Sequence, residues 1–264
     1  MTKENKHKSY VACSGWNRGG TSALMSVIKE AGIPIVGFKY PYQFKFDYIK
    51  GDQILKQGVK KDGGLLIADE AVRKRNPSGY WEIASICIGG GLQKEHEDIG
   101  EDGNVIKIPL DTLPSSDPEM IDKIVVILRN PLKVLGSMIS IHGPEKQEEM
   151  IRVGSLGLIY NLMVSLEWIE KNKIKHIIVH YEDMIRKPIE FVEDICNFIG
   201  RGEHLWGAKI VERKLNRSKA IEKRYIEVER LEAFYLEYGW EKKMDLIELK
   251  KEIDKLRKEY ENKN

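Results

Sequence analysis

Ser9-Tyr-Val-Ala-Cys-Ser14, then Gly15-Trp-Asn-Arg-Gly-Gly20, then Thr21-Ser-Ala-Leu-Met-Ser-Val-Ile-Lys-Glu-Ala31 is the stretch that decides the fold. Its first part is short, β-branched and aromatic, which suits a strand. Its last part repeats Leu24, Val27, Ile28 and Ala31 at helical spacing, and Gly32 and Pro34 follow as stop signals. Between them lies a loop with three glycines and one arginine. Strand, glycine loop, helix is the arrangement in which backbone N–H groups and a helix N-terminus wrap an anion, with glycines letting the backbone approach it closely.

Working outward, Asn104-Val-Ile-Lys-Ile108 ends at Pro109, and Lys123-Ile-Val-Val-Ile-Leu128 is a continuous apolar run that ends at Arg129 with Pro131 placed to start a helix. Lys175-His-Ile-Ile-Val-His180 is a further compact run, and Pro188 to Ile199 reads as a helix closed by Gly200. Strands alternating with helices predict an α/β fold with a mostly parallel sheet flanked by helices. Residues 1–240 read as one such domain. Residues 241–264 read as a charged C-terminal helix whose seam of Leu246, Leu249, Ile253, Leu256 and Tyr260 docks on that domain, with a homodimer through it as the second possibility. Tyr40 to Lys61 shows no clean period and reads as an irregular, acceptor-side insert, and Arg73 to Gly79 as a basic loop.

Composition narrows the function. The chain has 264 residues, of which 32% are charged, but 43 Lys plus Arg against 41 Asp plus Glu leave a net charge of only +2. No global basic field is available to grip nucleic acid or an anionic membrane, so any anion must be met by locally placed cations. Cys13, Cys87 and Cys196 show no metal-ligand spacing, which excludes a cysteine zinc module and a disulfide scaffold and favours a reducing compartment. Met1 to Lys8 is polar, with no apolar core behind it, and the longest uncharged stretch, Val153 to Leu166, is too short to span a bilayer. The expectation is a soluble, cytoplasmic protein with no membrane span.

Read from Gly15, the loop has the G-x-x-x-x-G spacing of a phosphate loop followed by Thr21-Ser22, yet an NTP-hydrolysing loop needs Lys where Thr21 stands. The cation is Arg18, inside the loop, and no apolar strand ends in an Asp suited to magnesium. An anion bound without a metal is expected, against the alternative of an ordinary glycine-rich turn with a solvated Arg18. Arg129 at the carboxyl end of a strand and Ser137 in the next helix would sit at the sheet edge where open α/β sheets bind ligands, and suit a second phosphate. His176 and His180 form H-x-x-x-H on a strand and read as structural, not as metal ligands.

These residues resemble the sulfotransferase family that uses 3′-phosphoadenosine 5′-phosphosulfate (PAPS). Ser14 to Ser22 is similar to its 5′-phosphosulfate loop, and Arg129-Asn-Pro with Ser137 is similar to its 3′-phosphate signature. Softer likenesses are Ile178 to Pro188 and Asn76-Pro-Ser-Gly-Tyr-Trp-Glu82. Two departures stand out: Arg18 occupies a position where many members have Lys, and Ile106-Lys107-Ile108-Pro109 lacks the His that many small-molecule sulfotransferases carry there. The resemblance implies sulfonate transfer from PAPS to a hydroxyl or amine with release of 3′,5′-ADP, and no metal.

It also implies site residues. Arg18 would meet the sulfonate and bridging oxygens. Gly15, Trp16, Asn17, Gly19, Gly20, Thr21 and Ser22 would form the 5′ cradle, Arg129 and Ser137 the 3′ clamp, and Arg217 a further basic contact, with a solvated surface role as its alternative. Glu82, flanked by aromatics, is the first candidate for the general base and His142 the second. The acceptor, a small molecule or a glycan, is left open. Two other functions stay in contention: a kinase with a degenerate phosphate loop, and a non-catalytic nucleotide-binding interaction module.

Overall fold

The structure is a computed structural model and describes residues 8–37, 81, 83, 86–142, 146–211, 219–222, 224–236 and 245–263. Tyr40 to Lys61, Arg73 to Gly79, Glu82 and Arg217 lie outside the described residues. Five strands form one sheet: β1 (Tyr10–Gly15), β2 (Ile35–Val36), β3 (Val105–Lys107), β4 (Ile121–Leu128) and β5 (Lys175–His180). Their order is β2-β3-β1-β4-β5 and every pairing is parallel.

The central strand β1 and its neighbour β4 are largely apolar runs, as burial on both faces requires. All six residues of β1 are buried, and so is β4 from Ile124 to Leu128. Side chains alternate between two cores along each strand. Tyr10, Ala12, Ile124 and Val126 enter one core, and Val11, Cys13, Val125 and Ile127 enter the other.

The second of these cores is covered by α1 (Thr21–Glu30) and by α5 (Pro188–Ile199), which presents Phe191, Val192, Ile195 and Ile199. Between β5 and α5 lies the short α4 (Tyr181–Arg186), which adds Tyr181 and Met184, and α6 (His204–Lys209) follows α5. The expected punctuation is in place: Gly32 and Gly200 follow helix ends with φ of 79° and 92°, and Pro131 and Pro188 open helices.

The other core is covered by α2 (Pro131–His142), α3 (Gln147–Lys171), α7 (Ile226–Leu236) and α8 (Leu246–Glu261). The 25-residue α3 is the largest element not anticipated above. It packs against α2, α7 and α8, so apolar residues occur around much of its circumference and no single stripe marks it. On α8, Leu249, Ile253 and Leu256 are buried in this same core, so the seam is engaged within the chain. Asp245 caps the start of α8 by accepting from the N–H groups of Ile247 and Glu248. Among the described residues, no helix is long and apolar enough to cross a membrane.

This topology places the site. The chain leaves β1 towards β2 on one side and leaves β4 towards β5 on the other, so the connections diverge at the adjacent carboxyl ends of β1 and β4. Such a switch point is where open parallel sheets hold ligands. The two segments that emerge there are the glycine loop and Arg129.

Candidate functional site

The loop after β1 is tightly wound. The Gly19 N–H donates to the Trp16 carbonyl at 2.7 Å, which leaves Arg18 at φ 69° and Gly20 at φ 101°. The glycines are sterically required: a Cβ on Gly15 would lie 2.6 Å from the Ile127 carbonyl, and one on Gly20 would lie 2.4 Å from the Tyr181 ring. Trp16 pins the turn from below, being 1% exposed and donating from Nε1 to the Leu158 carbonyl of α3 at 2.9 Å. Gly20 caps α1 without any side-chain acceptor, and the first turn has no acidic residue. The first N–H groups of α1 therefore face the loop with a favourable dipole for an anion.

Arg18, Arg129 and Ser137, far apart in sequence, come together here. Arg18 Nε donates to Ser137 Oγ at 3.1 Å, and Arg129 Nη1 donates to the Arg18 carbonyl at 3.3 Å. Arg129 is 6% exposed and its guanidinium lies 4.4 Å from the centre of the Tyr181 ring. Burial pushes the Arg129 pKa down from its ordinary value, and the Arg18 guanidinium pushes it the same way, while Tyr181 and Glu182 oppose them. Two guanidiniums confined at one sheet edge gain from a polyanion placed between them.

The scaffold around Arg129 is held by α4. Glu182 accepts from the Asn130 N–H at 3.1 Å and from the Tyr235 hydroxyl at 3.4 Å, and the same hydroxyl lies 3.1 Å from His180 Nδ1. Burial, reinforced by Glu182, raises the Tyr235 phenol above its ordinary range, so it stays a neutral donor. His180 is thus a structural partner. His176 sits four residues earlier on the same strand, roughly 13 Å away along it, too far to share a metal. Among the described residues, no group of three or more His, Cys, Asp or Glu could hold a metal ion.

Two residues at the site are absent from the expectations above. Lys107 ends β3, is 5% exposed, and donates from Nζ to Ser22 Oγ at 3.0 Å. It stands in the Ile106-Lys107-Ile108-Pro109 segment where the expected His is missing, and presents a buried ammonium to the loop instead. The signal was a lone cation closing an apolar strand. Asp111 follows, brought beside the loop because the Leu110 N–H donates to the Gly15 carbonyl at 3.2 Å. Its Oδ2 accepts from Asn17 Nδ2 at 3.4 Å. Although Asp111 keeps a solvent-facing edge, protein atoms around the carboxyl raise its pKa, and N–H bonds from Asp111 and Thr112 oppose this only in part.

Of the general-base candidates, Glu82 lies outside the described residues, as does Arg217. Its neighbour Trp81 is described: it is 6% exposed and donates from Nε1 to Ser26 Oγ of α1 at 2.9 Å. His142 is the last residue of α2, and its side chain is outside the described set.

Residues 101–219 match the model of the sulfotransferase domain family, a span that contains Lys107, Asp111, Arg129 and Ser137 but not the glycine loop. Comparison with curated proteins found no match. Among solved structures, the chain is similar to mouse sulfotransferase SULT7A1 complexed with PAP, at 15% identity and TM-score 0.46, over 97% of this chain and 89% of that one. It is also similar to the sulfotransferase domain of the Synechococcus PCC 7002 olefin synthase, at 15% identity and TM-score 0.45, over 89% of this chain and 98% of that one. A third is the sulfotransferase domain of the curacin biosynthetic pathway, at 13% identity and TM-score 0.47, over 88% and 98%.

Proposed function

We propose that this protein, which carries a sulfotransferase domain in residues 101–219, is an enzyme that takes its sulfonate group from PAPS and passes it to a hydroxyl or amine of a small-molecule or glycan acceptor. The observation that carries the choice of donor is the convergence of Arg18, Arg129 and Ser137 at the carboxyl ends of β1 and β4. An ordinary nucleotide needs one phosphate site. Here a glycine cradle that a single Cβ would fill stands beside a second, guanidinium-lined position, which suits a nucleotide phosphorylated at both ends of its ribose.

PAPS would supply an activated sulfonate on a phosphate leaving group, and moving it demands positioning and charge stabilisation rather than covalent help. The N–H groups of Gly19 and Gly20 and the hydroxyls of Thr21 and Ser22 bind the 5′-phosphate. Arg129 and Ser137 bind the 3′-phosphate. Arg18, released from Ser137, reaches the bridging oxygen, where negative charge grows, and Lys107 holds Ser22 in place from beneath. No metal is assigned a role, since two guanidiniums already face the anion with the Lys107 ammonium behind Ser22. Residues 1–240 with the docked α8 would act as one catalytic domain, in the cytoplasm, where the three free cysteines stay reduced.

A thermal-shift titration tests this. 3′,5′-ADP, 5′-ADP and Mg-ATP are compared at equal concentrations, and a ligand at a hundred times its Kd adds about 2.7 kcal/mol of stability. Selective stabilisation by 3′,5′-ADP is expected. Stronger stabilisation by Mg-ATP would transfer the site to a kinase-like reading.

A further inference from the structure

A cavity of about 210 Å³ opens beside the first half of the glycine loop, between Gly15-Trp16-Asn17 and α3. Its α3 wall is one helical stripe, Met150, Val153, Gly154, Gly157, Leu158 and Asn161. Two glycines inside a helix are costly, each by about 1 kcal/mol relative to alanine. For Gly154 packing gives a reason, since a Cβ there would lie 3.3 Å from Leu135 Cδ2. For Gly157 it gives none: a Cβ would meet nothing within 4 Å, and φ is not positive. What a larger side chain at 157 would do is enter the cavity.

The lining has two characters. Met138, Met150, Val153 and Leu158 make it apolar, and Asn17 and Asp111 put an amide and a carboxyl at the end next to the loop. Asp111 and Arg257, from α8, are the titratable residues of this lining. A dry cavity of about 150 Å³ accepts benzene, so this one has room for a single ring.

Given the PAPS reading, on which this rests, we propose that the cavity is the acceptor site, that it takes an alcohol or phenol of single-ring size, and that Asp111 is the general base. The acceptor oxygen attacks the sulfur, forming the new S–O bond, as the bond from sulfur to the bridging oxygen breaks. That electron pair leaves on the 5′-phosphate of 3′,5′-ADP. The hydroxyl proton passes to Asp111 Oδ and from its solvent-facing edge to water. Asn17 is a positioning residue that holds the carboxylate. A carboxyl with a raised pKa is the better proton acceptor, and Arg257 is the other charged residue of the lining.

The test uses benzyl alcohol, phenol and cyclohexanol as probes on the full chain. Binding is read by saturation-transfer NMR with 3′,5′-ADP present, and turnover by release of 3′,5′-ADP from PAPS. Wild type is expected to bind at least one probe and to turn it over above the rate of hydrolysis. Gly157→Leu is expected to lose both at least tenfold while 3′,5′-ADP still stabilises it and its Tm is not lowered. Asp111→Asn should keep probe binding, lower kcat about 10²- to 10⁴-fold, and remove the acid limb of the pH profile, which in wild type lies above the ordinary carboxylate range. If 3′,5′-ADP stabilises wild type but no probe binds, or Gly157→Leu binds as wild type does, the cavity is not the acceptor site and the PAPS reading stands. An unchanged kcat or an intact acid limb in Asp111→Asn overturns the base. If 3′,5′-ADP fails to stabilise wild type, both fall together.

Discussion

Arg18→Ala is expected to slow sulfonate transfer by about 10²- to 10³-fold, the range found when one preorganised transition-state donor is removed, while 3′,5′-ADP still binds. The split follows from where the residue sits. The proposed cradle for the 5′-phosphate uses backbone N–H groups and the Thr21 and Ser22 hydroxyls, none of them from the Arg18 side chain, and Arg129 is held independently by the Tyr181 ring. Binding therefore survives loss of the Arg18 side chain. Charge on the leaving oxygen grows only along the reaction, so its partner is felt in kcat and not in ground-state affinity. Arg18→Lys should recover part of the rate, since charge returns but the two-pronged guanidinium does not. Single-turnover kinetics with PAPS and calorimetry with 3′,5′-ADP check the two halves. A variant with normal kcat and weakened nucleotide affinity would make Arg18 a binding residue and move the transition-state role elsewhere, with Lys107 the next candidate.

Arg152→Ala is expected to destabilise the fold by about 3–5 kcal/mol, the cost of stranding a buried charge. Glu227 on α7 has a side chain only 3% exposed, and Arg152 of α3 meets it at 2.9 Å. The hydrogen bond to Glu227 raises the Arg152 pKa further above its already high ordinary value, so the cation persists at any working pH. Glu148, 3.6 Å from the same guanidinium, is half exposed and contributes little. Without Arg152 the Glu227 carboxylate is left in the α3–α7 interface, and α3 is also the helix that lines the proposed acceptor cavity. Replacing both partners, as in Arg152→Met with Glu227→Leu, should recover most of the loss because neither charge then remains to be solvated. Urea denaturation reads the difference directly. A loss below about 1 kcal/mol, the worth of an exposed pair, would contradict the assignment.

These two residues differ in how far the sequence exposed them. Arg18 was legible because its loop lies between a β-branched run and a helical repeat, and local chain chemistry alone builds that unit. β4, β5 and the helix from Pro188 to Ile199 were legible for the same reason: apolar runs bounded by Pro and Gly need no tertiary context. Even the meeting of Arg18 with Arg129 followed from general topology, since both emerge at strand carboxyl ends. Arg152 was not legible, because α3 is contacted on several sides and shows no clean amphipathic period. β2 has two residues and no pattern to read. Lys107 was marked only as a lone cation closing an apolar strand and Asp111 not at all; both acquire their meaning from the pairing of β3 beside β1, a non-local event. Tyr181 is similar: its ring packs on Arg129 and forbids a side chain at Gly20, far away along the chain.

A nucleotide gripped at both phosphates should be visible in a crystal structure of the complex with 3′,5′-ADP. The 5′-phosphate is expected within hydrogen-bond distance of the Gly19 and Gly20 N–H groups and the Thr21 hydroxyl. The 3′-phosphate is expected on the Arg129 guanidinium and Ser137 Oγ, with Arg18 turned away from Ser137 towards the 5′ end. A 3′-phosphate pointing into solvent, or a nucleotide seated away from the loop after β1, would contradict it.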